Sequence, residues 1–234
     1  MAISSVFRCS LCHEPLQEDI KEMVCSFCGT REEGEWSCPN NHYTCEVCRL
    51  ACPAELIERV CGVTSLQDPV ALANVLMSHV AFNAHGPEHH LIVAPVVLTV
   101  LANASALSFD KTRLPFVIKR TADIPIGVCS SRGECGACVG VGAAFSFISR
   151  LISAVRDSRS LALRATALAL FHLADMGGHR CCKQSVYASL EISKQILNDS
   201  LKIPTPFFPD NITCAFFKQI KDCKKKRCPY YPHE

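Results

Sequence analysis

The sequence has almost no charge imbalance. Lys and Arg number 24 against 22 Asp and Glu, for a formal net charge of +2. No global field would draw in nucleic acid or an anionic membrane, so neither is an expected partner. It has no apolar run of the ~20 residues that a membrane span needs. The nearest stretch, 91–107, is interrupted by Pro95, Thr99, Asn103 and Ser105 and reads as a buried helix. There is no G-x-x-x-x-G-K-[ST] phosphate loop, no strand followed by G-x-G-x-x-G and no G-x-S-x-G elbow. The C-x3-C-x2-C spacing of radical enzymes is absent, as are internal repeats and low-complexity segments. The opening residues Met1-Ala-Ile-Ser-Ser-Val-Phe-Arg8 lack the charged start and apolar stretch of a secretory signal.

Cysteine is what the chain has in excess: 17 in 234 residues. The count is odd, and eight of the seventeen fall in C-x2-C pairs. That pattern suits metal ligation better than disulfides. It points to a reducing cytoplasm, of the kind an anaerobe maintains.

Residues 1–62 read as a zinc-ribbon-like module. Its ligand-type residues run Cys9-x2-Cys12, Cys25-x2-Cys28, Cys38-x3-His42 and Cys45-x2-Cys48, followed by Cys52 and Cys61. Each short pair supplies half of a tetrahedral site, so four pairs make two zinc ions. A segment this poor in large apolar residues needs the folding energy of metal. Structural zinc is the favoured reading, a redox or cluster role the alternative. Sequential and cross-braced pairing of the half-sites are both compatible with the spacing.

From residue 63 the composition turns helical, which makes the fold mainly α. Asp68-Pro69 has the form of a helix start, and the apolar residues that follow carry the helix to about Asn83. Pro87 opens a second helix, with His85 before it and Glu88, His89 and His90 in its first turn. Three imidazoles and a carboxylate this close make candidate acid–base or ligand groups, against the plainer reading of capping and surface polarity. The loop Cys129-Ser-Ser-Arg-Gly-Glu-Cys135-Gly-Ala-Cys138 then runs into a helix rich in small residues, expected to be central. After another apolar helix, Gly177-Gly-His-Arg-Cys-Cys-Lys183 starts the last one. Arg180 and Lys183 at a helix N-terminus oppose the macrodipole unless an anion sits there, so they are candidate substrate-binding residues. The tail adds Cys214, Cys223 and Cys228 among lysines, a charge run read as a solvated face.

We expect these three loop-to-helix junctions to converge on one site. A [4Fe–4S] cluster on Cys129, Cys135 and one of Cys181 or Cys182 is the leading candidate there. Zinc and metal-free redox thiols are the alternatives. Cys182 would be left as a reactive thiol, and Cys214, Cys223 and Cys228 would add ligands. Cys138 reads as a small buried residue more than as a ligand.

Three motifs in this order, His85-Gly-Pro-Glu-His-His90, Cys135-Gly-Ala and Gly177-Gly-His-Arg-Cys-Cys-Lys183, occur with the cysteine pairs and a closing Cys228-Pro229. Together they resemble an uncharacterised cysteine-rich family of anaerobic bacteria and archaea, sometimes associated with SAM-dependent methyltransferases. The resemblance implies an anaerobic context and no established activity. Three readings follow. The first is an iron–sulfur enzyme or redox protein acting on a small anionic substrate, with His85, Glu88, His89, His90 and Cys182 at the chemistry. The second is a metal or sulfur carrier for a partner enzyme such as a methyltransferase. The third is a zinc-scaffolded interaction module.

Overall fold

The computed structural model describes residues 7–152, 157–178 and 180–232, so His179 of the last motif lies outside the described residues. The described chain begins with an antiparallel hairpin, β1 (Gln17–Val24) and β2 (Arg31–Ser37), paired from Val24 opposite Arg31 to Gln17 opposite Ser37 with a register shift between Glu18 and Lys21. Both strands are largely exposed and rich in Glu, so the hairpin has no apolar face to bury. Residues bearing thiols hold it instead, at its turn and at both ends.

Two helices follow, α1 (Glu46–Leu50) and α2 (Pro53–Val63). Exposed Cys52 precedes α2, its amide donating to Glu55 Oε2 at 2.9 Å. Helix α2 crosses the expected boundary at 62 and buries Leu56, Ile57, Val60 and Cys61 in the core shared with the later helices. Cys61 is fully enclosed, and burial pushes its thiol up to about 12.

Asp68 caps α3 (Pro69–Met77), accepting from the amides of Val70 and Ala71. The helix stops at Met77, short of the expected Asn83. The Ser78 hydroxyl bonds back to the Val75 carbonyl at 2.7 Å, and His79 turns its ring edge onto Phe27 with centroids 4.8 Å apart. That contact docks the N-terminal module on the helical core.

The histidine motif forms a 3₁₀ turn, Pro87–Leu91, and regular helix begins with α4 (Val93–Asn103), of which nearly every residue is buried. Helix α5 (Leu114–Ile118) covers one side of it, and the four-residue α6 (Val128–Ser131) carries Cys129. Helix α7 (Gly136–Leu151) is central, as its small residues led us to expect. A Cβ on Gly140 would come within 3.1 Å of Val93, and one on Gly142 within 2.1 Å of the Thr166 hydroxyl. Glycine at those positions lets α4 and α8 (Ser158–Asp175) approach closely.

Helix α9 (Cys182–Asp199) closes the bundle and buries Tyr187, whose hydroxyl donates to Asn74 Oδ1 at 2.7 Å. Beyond it the tail wraps back over α9 with little regular structure. The Cys214 amide bonds to the Tyr230 carbonyl at 2.7 Å, and the Tyr230 hydroxyl donates to Glu191 at 2.6 Å. Among the described residues no helix is long and apolar enough to cross a membrane.

Candidate metal centres and a thiol cleft

The N-terminal ligands assemble into two groups of four. Cys9, Cys12, Cys38 and His42 form the first; Cys25, Cys28, Cys45 and Cys48 form the second. Alternate half-sites are therefore joined, the cross-braced arrangement. Within each group the ligand atoms lie within 4.8 Å of one another. Cys12 and Cys38 sulfurs are 3.4 Å apart, those of Cys28 and Cys45 are 3.6 Å apart, and His42 Nδ1 lies 3.8 Å from Cys9 Sγ. A tetrahedral zinc with Zn–S near 2.3 Å places its sulfurs ~3.8 Å apart, so the spacing fits one such ion per group.

Backbone and side-chain donors prepare these sulfurs for charge. The amides of Leu11, Asn40 and Cys48 point at Cys9, Cys38 and Cys45, each at 3.4 Å. The Asn40 side-chain amide holds the Cys12 thiol down at about 6. Burial works against ionisation of Cys28, but its contacts with Thr30 prevail and bring it to about 6. Cys48 is raised by burial and by its thiol neighbours. A bound cation would offset that cost, which couples metal uptake to proton release.

In the helical part, Cys181, Cys214, Cys223 and Cys228 line one small cavity of about 20 Å³. Tyr187, Phe217, Ile220 and Tyr230 form much of the rest of its wall. The tail supplies three of these thiols and the start of α9 the fourth. The amides of Phe216 and Lys225 donate to Cys214 and Cys223 at 3.4 Å. No three of the four sulfurs lie mutually within 4.8 Å, unlike the N-terminal groups. The Lys224 amine lies at this wall, bonded to the Gly177 carbonyl and, at 2.7 Å, to Gln184 Oε1.

Cys181 also borders a second space, a cleft of about 270 Å³ that contains Cys129, Cys135 and Arg180. Cys135 is the residue just before α7, and Cys138 lies one turn in, fully buried and contacted by the Ser189 hydroxyl at 3.9 Å. The neighbouring Cys138 thiol, assisted by its amide and by Ser185, brings the Cys135 thiol down to about 5 despite burial. Cys182 sits against the Gly86 backbone, and burial raises it to about 11.

The histidine motif packs beneath these thiols. Gly86 leaves room for the Glu88 carboxylate, which accepts from the Asn83 amide at 2.9 Å. His89 is fully buried, with Nδ1 3.2 Å from the Gly86 carbonyl and Nε2 3.2 Å from Lys183 Nζ. Burial first and the Lys183 charge second hold the imidazole down at about 3. Lys183 is itself only 3% exposed; its amine donates to the Asn83 carbonyl and lies 4.6 Å over the Phe216 ring. It thus faces the histidine motif, while Arg180 is exposed at the cleft. His90 sets Nδ1 3.1 Å from the Ile124 carbonyl, and its ring lies against Gly136. His85, near Arg180 and Asp222, has a buried Nδ1 with no hydrogen-bond partner, and burial lowers its pKa.

The structure thus brings the starts of the 3₁₀ turn, α7 and α9 together. It also splits the thiols into an enclosed set and a cleft set that share Cys181. In the sequence the cleft cysteines group with Cys181 and the tail cysteines only supplement them; the spacing of Cys214, Cys223 and Cys228 gives no sign that they fold back onto α9.

A family model described as a family of unknown function (DUF5714) matches residues 57–231, well over half of the chain. No curated protein and no solved structure matches.

Proposed function

We propose that this chain, which belongs to the family of unknown function DUF5714, is an iron–sulfur redox protein of a reducing compartment, with two structural zinc ions in its N-terminal module. The observation that carries this reading is that Cys181, Cys214, Cys223 and Cys228 line one space without any three of their sulfurs closing to within 4.8 Å of one another, unlike the N-terminal groups. A [4Fe–4S] cluster takes four thiolates and favours hydrogen bonds to its sulfurs, donors that the amides of Phe216 and Lys225 supply. The aromatic wall keeps water away, and Lys224 offsets negative charge. In the proposed arrangement these residues set the potential of the bound group, which moves single electrons when present. Cys181 puts that group beside the cleft, where exposed Arg180 would attract a small anionic substrate.

The N-terminal centres play no part in this chemistry. They hold the hairpin, which has no core of its own, onto α3 through Phe27 and His79.

Anaerobic purification followed by a visible spectrum tests the proposal. A broad thiolate-to-iron absorption that bleaches on adding dithionite is expected. Protein that carries zinc alone and shows no such band would refute it.

A further inference from the structure

The cleft contains a second arrangement that the cluster reading does not use and does not need. Cys135 and Cys138 stand at i and i+3 around the start of α7, so their side chains share one face of the helix. One thiol borders the cleft; the other is completely buried behind it. Ser185 and Ser189, one turn apart on α9, face the two sulfurs in turn. Gly136 and Ala137 between them add no bulk that would close the opening.

We propose that Cys135 and Cys138 form a thiol–disulfide exchange centre that reduces a small anionic disulfide admitted by the cleft. The asymmetry of the pair supports this assignment. A nucleophilic thiol must be ionised and reachable, and its partner must stay protonated until needed. Cys135 is held near 5 and borders the cleft, whereas Cys138 is pushed well above the ordinary thiol range, by Cys135 first and then by burial. Arg180 places an exposed guanidinium at the cleft, whereas its other lining cation, Lys224, is bonded to the Gly177 carbonyl and Gln184, so the cleft selects for an anionic substrate. The volume, about 270 Å³, admits a small molecule and not a folded surface.

The reaction balances within the pair. The Cys135 thiolate attacks one sulfur of the substrate, forming a mixed disulfide and expelling the other half as a thiolate. Cys138 then gives up its proton and attacks the Cys135 sulfur. A Cys135–Cys138 disulfide forms, and the second half of the substrate leaves as a thiolate that takes the proton. Two electrons pass from the dithiol to the substrate. A dithiol reductant restores the pair.

The test uses the full chain, reduced and freed of reductant, with glutathione disulfide as the anionic probe and hydroxyethyl disulfide as the neutral one. Peptide mapping after quenching should find a Cys135–Cys138 disulfide formed in step with released thiol. Cys138→Ser, and independently Cys138→Ala, should trap the probe on Cys135. Arg180→Ala should slow the anionic probe up to about fivefold, the effect of one solvent-exposed ion pair, and leave the neutral one unchanged. Zinc and iron measured on the same samples separate this centre from the metal sites. A disulfide joining Cys129 to Cys135, a pair that reacts only after denaturation, or iron lost in both Cys138 variants would each overturn the proposal.

Discussion

The ring of His90 occupies the space where a side chain at Gly136 would be: a Cβ there would lie 2.2 Å from His90 Cγ. This contact presses the 3₁₀ turn of the histidine motif onto the start of α7 and fixes the level at which Cys135 meets the cleft. His90 cannot move aside freely, because its Nδ1 is tied to the Ile124 carbonyl and its own carbonyl accepts from Thr121 at 2.8 Å.

Gly136→Ala therefore overfills a rigid contact. It should cost about 1–3 kcal/mol of stability, although alanine is the better helix former. Chemical denaturation of the two proteins checks this. A stabilised Gly136→Ala variant would mean that the two elements are not in contact.

His89 gives the fold a specific acid sensitivity. Its folded pKa of about 3 lies below the ordinary 6.5. Between those values the unfolded chain binds the proton and the folded chain does not. Stability is thus complete above about pH 6.5 and declines as the pH falls, by at most about 1.4 kcal/mol per unit from this group. His89→Gln, measured beside the wild type from pH 7 to pH 4.5, should show a shallower decline. Identical slopes would place the proton elsewhere.

The two N-terminal centres should differ in what they support. The second group is mostly buried and continuous with the helical core, whereas the first holds the far end of an exposed hairpin. Cys45→Ser should lose one zinc and lower global stability by about 3 kcal/mol or more. Cys12→Ser should also lose one zinc, yet leave the main thermal transition within about 1 kcal/mol. Zinc analysis with calorimetry distinguishes the two.

Much of this molecule is legible in the sequence, for identifiable reasons. C-x2-C and C-x3-H spacings are local, so all eight N-terminal ligands are readable, and the small residues of α7 mark it as central. The pairing of half-sites is not readable, because it depends on a hairpin whose strands, such as Glu18-Asp-Ile-Lys-Glu22, carry no alternation of apolar residues. The histidine motif is visible, but not its 3₁₀ form, in which Glu88 accepts from the Asn83 amide. Lys183 reads as an anion-binding cation at a helix start. Its burial beneath Phe216 depends on a tail that returns from more than thirty residues away. The same return decides that Cys214, Cys223 and Cys228 meet Cys181, a contact that no local pattern encodes.

The central claim is that this set of four thiols, and not the cleft set, holds the iron. Iron, acid-labile sulfide and zinc should be measured on anaerobically prepared wild type, Cys214→Ser/Cys223→Ser and Cys129→Ser/Cys135→Ser. The account predicts about four iron and four sulfide in the wild type and in the cleft variant, and almost none in the tail variant, with two zinc throughout. Iron retained by the tail variant, or lost from the cleft variant alone, would contradict it.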